Sequence, residues 1–118
     1  AKDSPAEAAE WVSKMPEGEA RSESMEEVVT QWARKDPIAT AEWLNQFPSG
    51  ELMDEPIQRF VREVARKDPD TALTWAQSIT DEERRKKVEA DVLNIKVMQA
   101  QREQAEAAKK QANESGPK

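Results

Sequence analysis

Trp11, Trp43 and Trp75 stand 32 residues apart, and Pro5, Pro37 and Pro69 keep the same step. Two unrelated residue types in one register define an internal repeat, which constrains the fold more tightly than composition does. A single unit of this length cannot bury its own apolar face. Stacked neighbours can, so the chain is expected to build a row of like units.

The units align without gaps as residues 4–35, 36–67 and 68–99. Each opens with a helix start signal: Ser4-Pro5, Asp36-Pro37 and Asp68-Pro69. A Ser or Asp side chain at N-cap accepts from the free N–H groups of the first turn. Proline at the first helical position lacks only an N–H that would be unpaired there. Ser4 and Glu7 have capping-box spacing.

The first helix of each unit is expected to be short, over about 5–15 and 37–47, with small Ala in the first turn and the Trp one turn on. Pro16-Glu17-Gly18 and Pro48-Ser49-Gly50 then turn the chain. The second helix is expected over about 19–34 and 51–66. Its stripe of Met25, Val28, Val29, Trp32 and Ala33 returns in unit two as Ile57, Phe60, Val61, Val64 and Ala65. Arg34-Lys35 and Arg66-Lys67 put positive charge where the helix dipole favours it.

Unit three departs from this pattern. Thr80 and Glu82 replace the turn Pro and Gly, which leaves Thr80 or Asp81 to cap the next helix. That helix carries Val88, Val92, Leu93, Ile95, Val97 and Met98, then loses every large apolar residue. Residues 100–112 are mostly Ala, Gln, Glu, Lys and Arg, strong helix formers with nothing to bury. The expected fold is all-α: a right-handed α-solenoid of about three antiparallel helix-turn-helix hairpins with a long C-terminal helix. The repeat domain spans 1–99, a polar extension of the last helix 100–113, and a disordered tail 114–118.

The joints Ala33-Arg34-Lys35-Asp36-Pro37 and Ala65-Arg66-Lys67-Asp68-Pro69 resemble the end of a tetratricopeptide unit. The step from Pro37 to Trp43 and from Pro69 to Trp75 is similar to that family's spacing. The likeness covers the joints only. The period is 32 where the family has about 34, and the Leu-Gly pair and Tyr of its first helix are missing. The resemblance implies a non-catalytic scaffold that holds peptides or partner proteins in a concave groove. No family binding residue carries over, because the peptide-clamping positions do not align.

Composition narrows the chemistry. The chain has no Cys and no His, which removes thiol nucleophiles, the usual zinc sites and imidazole acid–base catalysis. Its three glycines make a phosphate-cradling loop hard to build. No enzyme and no cofactor is expected. A net charge of −6 argues against a nucleic-acid partner, which would require concentrated Lys and Arg. No stretch approaches the about 20 apolar residues of a membrane span. A soluble chain, cytoplasmic or exported through a removed leader, and a monomer or weak dimer are the expectations. Because the chain starts at a repeat boundary, it is expected to be a fragment of a longer array.

Candidate contact residues follow from position. Trp43 is expected in the core, since burying an indole removes about 150–250 Å² from water, worth about 4–6 kcal/mol. Trp11, with no earlier repeat to cover it, is expected to be partly exposed. Trp32 has no Trp counterpart in the other units, where Val64 and Lys96 stand, so it is the better ligand contact. On the first helices, Lys14, Gln46 and Ser78 share one register, and Ser13, Asn45 and Gln77 another. Arg84-Arg85-Lys86-Lys87 is a candidate acidic-partner site, although pairing with Asp81-Glu82-Glu83 along one helix also accounts for it. Glu19, Glu51 and Glu83, with Glu23 and Glu55, fall at second-helix starts, where they complement the dipole. The functional expectation is a protein or peptide interaction scaffold. The alternative is a structural spacer without a dedicated groove.

Overall fold

The computed structural model describes residues 4–114, and within them the chain is all-helical. Six α-helices follow in order: α1 (Pro5–Ser13), α2 (Glu19–Lys35), α3 (Pro37–Leu44), α4 (Asp54–Val64), α5 (Pro69–Ala76) and α6 (Glu82–Glu114). A 3-10 turn, Glu51–Met53, precedes α4. No helix among the described residues is long and apolar enough to cross a membrane.

The three short helices start and stop alike. Ser4, Asp36 and Asp68 accept from the backbone N–H groups of Glu7, Ala39 and Thr71. Ser4 and Glu7 form a complete capping box. Each helix then tightens into a last turn bonded three residues back, ending it earlier than expected. The pairs are Met15 N–H to Val12 O (3.0 Å), Phe47 N–H to Leu44 O (3.3 Å) and Ile79 N–H to Ala76 O (3.1 Å). The three short helices thus share the same kind of closing backbone hydrogen bond.

The second helix of unit two departs from the single helix expected over 51–66. Proline at position 56 has no N–H to give the carbonyl of Leu52. The backbone there adopts a 3-10 turn, with Met53 N–H bonded to Gly50 O at 3.0 Å. The Leu52 carbonyl instead accepts the hydroxyl of Ser22 from α2, at 2.8 Å. Unit one has Ser24 at the equivalent position, and α2 runs unbroken.

The turn of unit three is rebuilt around Asp54, which occupies the repeat position of Ser22. This carboxylate is only 4% exposed. Its Oδ1 accepts Thr80 N–H at 2.8 Å, and its Oδ2 accepts the Thr80 hydroxyl at 2.8 Å and Asp81 N–H at 3.1 Å. Of the two caps expected, Asp81 caps α6 by accepting Arg84 N–H at 2.8 Å, while Thr80 is held by Asp54.

The core is a thin seam. α2 packs against α1, α3 and α4, α4 also packs against α5, and α5 against α6. The molecule spans 69 × 39 × 17 Å, so its thinnest dimension is under two helix diameters of about 10–12 Å. Repeat-equivalent residues line the seam: Val12, Leu44 and Ala76, and again Val28, Phe60 and Val92, are all buried. Trp43 joins them at 5% exposure, whereas Trp11 is 74% exposed.

α6 continues as one helix through Glu114. Residues 100–113 are exposed on all sides. Glu114, placed in the expected disordered tail, belongs to this helix. The rest of the expected tail, 115–118, lies outside the described residues.

Candidate binding groove

A groove of about 450 Å³ opens between α1 and α3. α1 contributes Ala6, Ala9, Glu10 and Ser13, followed by Lys14. α3 contributes Ala39, Glu42 and Trp43, followed by Gln46, while Trp32 reaches in from α2. Small Ala side chains at the helix starts leave this space, and the indoles of Trp32 and Trp43 give it an apolar base. The two rings lie 6.1 Å apart at 58°. Phe47 meets Trp43 edge-on at 5.2 Å, and the Arg21 guanidinium lies 5.0 Å from the Phe47 ring. These contacts fix the indoles before any ligand arrives, which lowers the ordering cost of binding.

The rim is polar. Trp43 Nε1 donates to Ser13 Oγ at 2.8 Å, and the Ser13 hydroxyl donates to Ala9 O at 2.9 Å. Ser13 therefore spends its proton inside α1 and presents a lone pair to the indole. Lys14 Nζ stands 5.7 Å from the Trp11 ring centroid, a cation–π arrangement on an exposed surface. Glu10 and Glu42 face the same space.

Four residues singled out by position thus share one groove: Ser13, Lys14, Trp32 and Gln46. Asn45 lines a second groove of about 410 Å³ between α3 and α5, with Pro37, Ile38, Ala41 and Thr71 around it and Phe60 and Val64 below. Gln77 and Ser78 are exposed beyond the end of α5 and line neither groove. Arg84 and Arg85 are elsewhere and bonded within the chain. Arg84 Nη1 donates to Gln58 Oε1 at 2.7 Å, and Arg85 Nη1 donates to Ile79 O at 3.0 Å.

Glu10 and Glu42 are the charged groove residues that position alone did not single out. Their 32-residue separation was the available signal, since Glu42 repeats Glu10.

A larger cavity, about 730 Å³, gathers Glu19, Glu23, Glu51, Asp54, Glu55, Asp81 and Glu82. These carboxylates lie at or beside the starts of α2, the 3-10 turn, α4 and α6, where free N–H groups favour negative charge. Asp54 is committed to the turn it holds, so helix-end chemistry accounts for this cluster.

The chain matches no family model, no curated protein and no solved structure.

Proposed function

We propose that the chain is a non-catalytic protein–protein interaction scaffold. It is read as a right-handed, tetratricopeptide-like α-solenoid of three antiparallel hairpins whose inner face is built by α1, α3 and α5. The equivalent N-caps (Ser4, Asp36, Asp68) and like last turns of those three helices support the stacked arrangement. The observation that carries the functional reading is the convergence of Trp32, Lys14 and Gln46 on one groove with a prearranged aromatic base.

The groove suits an extended peptide. An apolar side chain would rest on Trp32, and a basic side chain would sit between Glu10 and Glu42. A neutral or basic partner also agrees with the net charge of −6.

Affinity capture from a native lysate tests this, comparing the chain with a Lys14→Glu/Gln46→Glu variant. Both positions are exposed, so the variant is expected to fold. A partner retained by the parent chain and lost by the variant supports the scaffold. Retention of the same partner by both removes the groove from the account.

The spacer reading rests on α6, whose residues 100–113 project with every side chain exposed. It predicts no groove-dependent partner. It also predicts that an unrelated helical module of equal length preserves function.

A further inference from the structure

On α6 the repeat register meets a surface it does not cover. Val29 and Val61 are buried, but their equivalent Leu93 is 47% exposed. Ala33 and Ala65 are buried, but their equivalent Val97 is 52% exposed. Val88 and Val92, on another side of the helix, do the packing inside the chain.

Because α6 is one continuous helix, the exposed stripe can be followed through the extension. Ala90, Leu93, Val97, Ala100, Gln104 and Ala107 alternate in steps of three and four, the a and d positions of a heptad. All six are exposed, and none is charged. The flanking e positions, Asn94, Gln101 and Ala108, are uncharged too. The flanking g positions are Glu89, Lys96, Glu103 and Lys110, alternating in sign.

That alternation selects an occupant. In an antiparallel helix pair, g faces g. When two copies of α6 run antiparallel about a two-fold near Met98, the core layers are Ala90–Ala107, Leu93–Gln104 and Val97–Ala100. In this same register Glu89 faces Lys110 and Lys96 faces Glu103, and the two-fold repeats both pairs. A parallel pair would instead place each g charge beside an uncharged e residue and stack Gln104 on itself, with no charge pairing.

We propose that two copies of this chain associate through antiparallel α6 helices in that register. The exposed extension of each copy then covers Ala90, Leu93 and Val97 of the other, and the two hairpin bodies lie at opposite ends of the pair. With two large apolar residues per copy, the association is weak and concentration-dependent. Lys96 is bonded to Asp70 at 2.8 Å on the surface, which leaves two of its three ammonium protons for Glu103 of the second copy.

Sedimentation velocity over a concentration series tests the pairing. The chain is expected to show a reversible monomer–dimer equilibrium. Leu93→Glu/Val97→Glu is expected to be monomeric at every concentration with unchanged helical circular dichroism, since both side chains are exposed. Glu89→Lys alone and Lys110→Glu alone are each expected to raise the dissociation constant about tenfold, by turning two attractive pairs repulsive. Glu89→Lys/Lys110→Glu together are expected to restore it. A chain that stays monomeric throughout overturns the proposal, as does a dimer indifferent to the Leu93/Val97 change. A charge swap that fails to restore association overturns the antiparallel register and, with it, the proposed pair.

Discussion

The indole Nε1 of Trp43 donates a 2.8 Å hydrogen bond to Oγ of Ser13, so a residue of the second unit is anchored on the first helix of the unit before. The repeated Trp is thus a fastening between units, and its strength should track what lies in front of it. Trp43→Ala is expected to cost about 3–5 kcal/mol. Trp11→Ala, at a ring 74% exposed, should change stability by less than about 0.5 kcal/mol. Ser13→Ala should fall between them at about 1 kcal/mol, because groove water can replace the lost acceptor. Urea denaturation of the three variants checks the order.

Ser22 and Pro56 should be coupled. Ser22→Ala deprives the Leu52 carbonyl of its donor and is expected to cost about 1–3 kcal/mol. In a Pro56→Ala background the residue at 56 regains an N–H that can reach the same carbonyl. The penalty of Ser22→Ala should then be smaller there. A double-mutant cycle by chemical denaturation reads the difference, and full additivity would contradict the account.

Asp54 holds the turn that lacks the Pro and Gly of the other units. Asp54→Ala removes three hydrogen bonds to a buried carboxylate, with an expected loss of about 3 kcal/mol or less, given that such bonds are worth about 1.5–3 kcal/mol each and are not additive. Asp54→Asn keeps an acceptor for Thr80 N–H and should cost less. Thermal denaturation ranks the two.

Asp68 gives a pH signature. The hydroxyl and backbone N–H of Thr71 bond its charged form and hold its carboxyl below the usual value of 3.8. A depressed carboxyl contributes stability above its unfolded value and loses it as pH falls through the folded one. The stability of the parent chain should therefore decline through and below the usual carboxylate range. In Asp68→Asn, which keeps an N-cap acceptor, the decline should be shallower. Denaturation midpoints from neutral pH downward compare the slopes.

What the residues announced was mostly local. Pro5, Pro37 and Pro69 mark helix starts because capping depends on the neighbouring few residues, and the structure starts its helices there. The interruption before α4 was carried by Pro56, but its consequence depended on Ser22, which only the folded chain brings to Leu52. In the groove, Trp32 stood out by having no Trp counterpart, and Lys14 and Gln46 by their shared register. Glu10 and Glu42 repeated just as faithfully and were hidden among the many charges of the chain. The α6 stripe was hard to read because the polar extension of the last helix, from Ala100 onward, carries no large apolar residue at its a and d positions. Leu93 and Val97 belong to it, and their exposure opposite the buried Val88 and Val92 appears only in the folded chain.

The central claim is that partner recognition occurs in the groove between α1 and α3. Site-specific photo-crosslinking tests it most directly, with the reactive residue placed once at Gln46, in the groove, and once at Glu27, an exposed position of α2 that does not line it. The account predicts a discrete crosslinked partner from position 46, lost when Lys14→Glu is added, and none from position 27. Equal crosslinking from both positions, or none from position 46, would contradict it.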